Sequence, residues 1–107
     1  RRAADMKSPN AASIEAMIIS YLEEVVEDMG LVTAVSPHTH LGGELGLSSV
    51  DTMNLLAAID VHLGRRIRYE GLLMPKGEYV QELTPREITA YVIEHYDEEL
   101  SSEPRAM

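Results

Sequence analysis

The chain has 107 residues, 45% of them hydrophobic, which is enough for one small domain with a single modest core. A formal net charge of −9 argues against nucleic acid as a partner, because gripping a phosphate backbone needs clustered Lys and Arg. With no cysteine, disulfides and thiolate metal sites are excluded, and no apolar run reaches membrane-spanning length.

Residues 1–10 are polar, include Pro9 and read as a flexible tail. The stretch R-R-A-A-D-M-K lacks the apolar centre of a signal peptide, so the expectation is a soluble, cytoplasmic protein. Ile14, Met17, Ile18, Tyr21, Leu22, Val25 and Met29 recur at spacings of three and four, which predicts a helix over 11–29 with Gly30 as its stop. Glu15, Glu23, Glu24 and Glu27 fall off that stripe and are expected to face solvent. Residues 30–48 then form a long connection, a feature that is uncommon in small domains and often functional. Leu31, Val32, Val35, Leu41, Leu45 and Leu47 are expected to hold it against the core.

A second helix is predicted over 49–63, with Leu55, Leu56, Ile59 and Leu63 inward and Gly64 ending it. Arg65, Arg66 and Arg68 reverse the charge locally. They either balance Glu70 and the acidic last helix or add a basic contact. Two glycines and a proline between 71 and 77 allow no more than a turn or two, expected around Lys76 to Gln81. Thr84-Pro85-x-Glu87 is a clear start signal: a cap, a proline at the first helical position and an acid three residues on. Ile88, Tyr91, Val92, Tyr96 and Leu100 line one face of the helix that follows, expected to end near Glu99 before a flexible tail at 101–107. No β-like alternation of useful length occurs. The fold expected is all-α, a small antiparallel four-helix bundle over 11–100 with a short third helix and a long loop between helices one and two.

Charge is unevenly spread. No Lys or Arg lies between Lys7 and Arg65, while Glu15, Glu23, Glu24, Glu27, Asp28, Glu44, Asp51 and Asp60 all do. That half of the chain either steers basic partner surfaces by long-range attraction or is simply a solvated acidic surface. His38 and His40 are two apart without a third ligand spaced nearby, so no metal site is expected, and His95 reads as a half-buried packing residue. No nucleophile–base arrangement or phosphate-binding glycine loop is present, and the chain is not expected to be an enzyme.

The stretch Leu41 to Asp51, L-G-G-E-L-G-L-S-S-V-D, places two hydroxyls at the start of the second helix. Serine favours that place because its oxygen can accept from an unpaired backbone N–H. The same helix end carries partial positive charge, so a phosphate esterified to a serine there sits in a favourable field. On these residues alone the serines are either plain caps or an attachment point. The stretch resembles the prosthetic-group site of acyl and peptidyl carrier proteins, whose usual form reads like L-x-x-D-L-G-x-D-S-L-D. Leu41, Glu44, Leu45, Gly46, Leu47, Ser49, Val50 and Asp51 fall in corresponding places. The likeness extends upstream to V-S-P-H-T-H (35–40), similar to the family's I-T-P-D-T-x, and downstream to A-A-I-D-V-H-L-G (57–64).

The resemblance implies a four-helix bundle with a short third helix, and a phosphopantetheine arm taken from coenzyme A and attached to Ser49 by a phosphopantetheinyl transferase. Ser48 stands where most members have Asp, which removes a carboxylate and offers a competing hydroxyl. The arm's thiol would carry acyl groups as thioesters to acyl-loading and acyl-processing enzymes with basic docking surfaces, the carrier acting as a monomer. Helix two is the family's usual docking surface, which implies partner contacts at Val50, Asp51, Met53, Asn54 and Asp60. Asn54, Val61 and His62 occupy positions that are often acidic, which points to a dedicated partner in a specialised lipid or secondary-metabolite pathway. A peptidyl or aminoacyl carrier, or an unmodified helical interaction module of the same fold, are the alternatives. A core without Phe or Trp relies on Leu, Ile, Val, Met and Tyr, and permits an acyl pocket between the helices without demonstrating one.

Overall fold

The first helix, α1 (Ala11–Asp28), begins where the Asn10 side chain accepts a hydrogen bond from the Ser13 N–H at 3.1 Å, satisfying one of the donors that a helix start leaves open. The computed structural model describes residues 10–31, 33–64, 66–80 and 82–102, with side chains of the last helix as far as Tyr96. Expectations for residues 1–9, Val32, Arg65, Gln81 and 103–107, and for the Leu100 side chain, lie outside what is described. At its far end α1 closes with Gly30 at φ +84°, the Gly30 N–H on the Glu27 carbonyl at 3.0 Å and the Leu31 N–H on the Val26 carbonyl at 2.9 Å.

Ile14, Ile18, Leu22 and Val26 form the buried row of α1, with Met17, Tyr21 and Val25 half-buried beside it. The row advances by four residues each time, and it reaches Val26 rather than Met29. Met29 and Leu31, both expected inside, are 45% and 42% exposed. The chain reverses at Gly30, so positions beyond the helix no longer follow its apolar face. Glu15 also departs from expectation: its side chain is only 17% exposed and its Oε2 accepts from Arg86 Nε at 2.7 Å, turned toward the last helix rather than to open solvent.

The remaining elements among the described residues are α2 (Ser49–Leu63), α3 (Glu70–Leu73) and α4 (Pro85–Ser102), and no strand occurs. Helix α2 stops at Gly64 in the left-handed conformation. Helix α3 lies earlier than the turn expected at Lys76 to Gln81. Pro75 cannot donate a helical hydrogen bond and disfavours helix at the residue before it, so the single turn forms ahead of the proline. Residues 76–80 are non-helical, with Gly77 at φ +81° and the Val80 N–H returning to the Leu73 carbonyl at 2.7 Å.

Helix α4 starts as its sequence signal implies. Glu87 N–H donates to Thr84 Oγ1 at 3.2 Å while Glu87 Oε1 accepts from the Thr84 N–H at 3.1 Å, with Pro85 first in the helix. The helix continues to Ser102, past Glu99 and through two residues expected in the tail. α1 packs against both α2 and α4. Their shared core is built from Ile18, Leu22, Leu55, Ile59, Ile88 and Val92, with Leu41 and Leu45 entering from the long connection. His95 is half-buried and stacks on Tyr91 with ring centres 4.0 Å apart. No helix among the described residues is long and apolar enough to cross a membrane.

Leu22 has no exposed surface, so Leu22→Ala should cost about 2–5 kcal/mol through lost burial and the cavity it leaves. Thr84→Ala, which removes the cap of α4 together with one methyl group of a buried residue, should cost about 1–2 kcal/mol. Urea-unfolding midpoints of the two variants against the parent check both values and their order.

Candidate functional site

The connection between α1 and α2 is ordered by local hydrogen bonds before it reaches the serines. Ser36 and Thr39 close a turn around Pro37: the Ser36 N–H donates to Thr39 Oγ1 at 2.8 Å and the Thr39 N–H to the Ser36 carbonyl at 3.2 Å. Residues 41–45 then make one compact turn. The Glu44 and Leu45 N–H groups both reach the His40 carbonyl, and Glu44 Oε1 accepts from the His40 N–H at 2.6 Å. Gly46, at φ +71°, takes a conformation that other residues rarely adopt and turns the chain so that the Leu47 N–H meets the Leu41 carbonyl at 3.0 Å. Val35, Leu41, Leu45 and Leu47 are buried as expected.

The two serines that follow have different surroundings. Ser48 is the N-cap of α2: its Oγ accepts from the Asp51 N–H at 3.2 Å and donates to Asp51 Oδ2 at 3.0 Å, while the Ser48 N–H donates to Asp51 Oδ2 at 3.0 Å. Ser49 is the first residue of the helix, is exposed, and its hydroxyl has no hydrogen-bond partner among the described residues. Spacing explains the division. An acid three residues after a serine completes a reciprocal cap, and Asp51 stands in that relation to Ser48, whereas the residue three after Ser49 is Thr52. Thr52 is buried and bonds back to the Ser48 carbonyl through both its N–H and its hydroxyl. The S-x-x-D pattern was readable in the sequence and would have assigned the cap to Ser48.

The expected partner-binding residues of α2 separate in the same way. Val50, Met53 and Asn54 are exposed, at 65% and 48% for the first two, and Val61 beyond them is 82% exposed. Their positions fall on one outward side of the helix that starts next to Ser49. The two carboxylates are engaged within the chain. Asp51 serves the cap, and Asp60 Oδ1 accepts from the Ile67 N–H at 3.3 Å and the Tyr69 hydroxyl at 3.0 Å, tying the end of α2 to the approach to α3. Burial, followed by the Asp60 charge, holds the Tyr69 hydroxyl well above the ordinary tyrosine range.

Arg66 and Arg68 are exposed and form no ion pair with Glu70; Arg65 and the acidic side chains at 97–99, the rest of the balancing role read from sequence, lie outside the described residues. Paired surface charges gain little in water, so nothing compels that pairing. Among the described residues no three His, Asp or Glu side chains gather as metal ligands, and His40 Nδ1 lies 3.3 Å from Glu44 Oε1. Gly43 and Glu82 enter the site's surroundings without any signal in the motif, because their contact spans 39 residues of sequence.

No family model, curated protein or solved structure matches the chain.

Ser48→Ala should lower stability by about 1 kcal/mol through loss of the cap, while Ser49→Ala should change it by less than about 0.5 kcal/mol. Denaturant titration of both variants tests the asymmetry. A second expectation concerns alkali. The Tyr69 hydroxyl releases its proton later in the folded chain than its ordinary value of 10.0, so its contribution to stability is intact below that pH. Above it the unfolded chain ionises first and the contribution is progressively lost. Unfolding midpoints collected across the alkaline range should therefore fall more steeply for the parent than for Tyr69→Phe.

Proposed function

We propose that the chain is a phosphopantetheine-dependent acyl carrier, with the arm attached through Ser49 Oγ. The observation that carries this reading is the division of labour between the adjacent hydroxyls. Ser48 is consumed by the cap, and Ser49 is presented unpartnered and exposed on the first turn of a 15-residue helix. The residues present suit the group. A phosphate ester on Ser49 would lie at the positive end of the α2 dipole, and the carboxylate two residues on, Asp51, is held by the Ser48 amide and hydroxyl. The substitution of Ser for Asp at 48 preserves capping, since both residue types serve well at that position.

When bound, the arm supplies a thiol that carries acyl groups as thioesters, and tethering raises their local concentration at partner enzymes. This chain's part is to present the Ser49 hydroxyl, whose oxygen would become the phosphoester oxygen as the pyrophosphate bond of coenzyme A breaks, the adenosine 3′,5′-bisphosphate leaving and the hydroxyl proton passing to a base on the transferase. Val50, Met53 and Asn54, next to Ser49 and exposed, are the residues through which the transferase and the acyl-handling enzymes would approach. Asp51 and Asp60 support that surface from within. The reading brings with it the antiparallel arrangement of the helices, a monomeric carrier, basic docking surfaces on its partners, and a cytoplasmic setting where coenzyme A is at hand.

The exposed apolar side of α2 favours a second reading, a helical interaction module that works without an arm. One experiment separates the two. The protein is incubated with coenzyme A, magnesium and a broad-specificity phosphopantetheinyl transferase, and its intact mass is measured. The carrier reading expects a single phosphopantetheinyl increment that survives Ser48→Ala and disappears in Ser49→Ala. No increment with several transferases would favour the interaction module.

A further inference from the structure

The segment ahead of α4 and the first turn of that helix strap the connection that leads to Ser49. Two of the straps are backbone bonds: the Leu41 N–H to the Leu83 carbonyl at 2.9 Å, and the Arg86 N–H to the Pro37 carbonyl at 3.0 Å. The third uses a side chain. The Gly43 N–H donates to Glu82 Oε1 at 3.0 Å, an amide given to a carboxylate and therefore a charge-assisted bond.

The same contact occupies the space at Gly43. A Cβ built there would lie 2.9 Å from Glu82 Oε1 and 3.2 Å from Oε2. Gly43 does not have a positive φ, so the backbone conformation alone does not demand glycine. What glycine permits is the close approach of the Glu82 carboxylate. The bond and the absent side chain are two views of one contact, made by the movable end of an exposed side chain.

We infer that Glu82 is a positioning residue for Ser49, clamping the 41–45 turn from outside and so fixing the point at which α2 begins. The inference rests on the carrier reading above. Between Gly43 and the Ser48 cap lie four residues, of which Leu45 and Leu47 are buried, so a shift at Gly43 has little slack to be absorbed before it reaches the cap. A serine held in one place spares an enzyme the cost of ordering the loop on encounter, and that saving shows in apparent affinity rather than in the chemical step.

The test uses the full chain with Glu82→Ala, Glu82→Gln, Gly43→Ala and the Gly43→Ala/Glu82→Ala double variant. Amide hydrogen exchange at Gly43 and Leu45 is measured on the free protein, and KM and kcat are measured for transferase-catalysed loading from coenzyme A. Glu82→Ala should speed exchange at Gly43 and raise KM by about three- to tenfold, the scale of one partly solvated charge-assisted bond, with kcat within about twofold. Glu82→Gln keeps an acceptor oxygen and should recover most of both effects. Gly43→Ala should impair loading in the parent and have much less effect on top of Glu82→Ala, where its clash partner is gone. A parent that loads normally while Glu82→Ala leaves exchange and KM unchanged, or strictly additive effects in the double variant, would overturn the role of Glu82. A parent that no transferase loads would instead overturn the carrier reading itself, and the role of Glu82 in loading with it.

Discussion

Two adjacent serines compete to cap α2, and the position of one carboxylate decides between them. Asp51 can complete a reciprocal cap only with the residue three before it, which is Ser48. Had the acid stood one place later, Ser49 would be the residue drawn into the cap, and Ser48 would lie in the connection. The helix start is therefore set to a single residue by a bond network spanning four positions. The same network leaves the Ser49 hydroxyl open and takes the Ser48 hydroxyl out of contention. Serine and aspartate both cap a helix well, so Ser48 keeps the helix start that an Asp in its place would give.

That helix start depends on what precedes it. The 41–47 turn is held from below by Leu41, Leu45 and Leu47 in the core and from the side by Glu82 and Leu83, while Arg86 holds the connection earlier, at the Pro37 carbonyl. The last of these contacts belongs to α4, whose own beginning is set by Thr84 and Glu87. Two capped helix starts, far apart in sequence, thus share one strapped loop. α1 supplies the common floor through Ile18 and Leu22 and packs against both helices. Loops that carry function are usually placed by rigid elements in this way.

Much of the architecture was legible because its signals are local. The apolar rows of α1, α2 and α4 follow from helical spacing, Gly30 and Gly64 mark stops, and Thr84-Pro85-x-Glu87 announces α4 outright. The short third helix was misplaced because Pro75 acts backward along the chain, and the turn forms before it rather than after. Met29 and Leu31 were read as core because periodicity carries no notice of where the chain reverses. Glu15, Asp60 and Glu82 were opaque for a different reason. Each is an acid whose partner, Arg86, Tyr69 or Gly43, is reached only once the helices pack. Asp60, expected as a docking charge, also accepts from Ile67 and Tyr69 in the fold. The identity of the free serine could have been read from spacing, while the straps that present it could not.

The central claim is that Ser49, and not its neighbour, bears the arm. The most direct measurement is fragmentation mass spectrometry of the peptide spanning Leu41 to Leu63, taken from unmutated protein after loading with coenzyme A and a transferase. Fragments that place the whole phosphopantetheinyl increment on Ser49 are the predicted result. An increment on Ser48, or a peptide that never gains one, would contradict it.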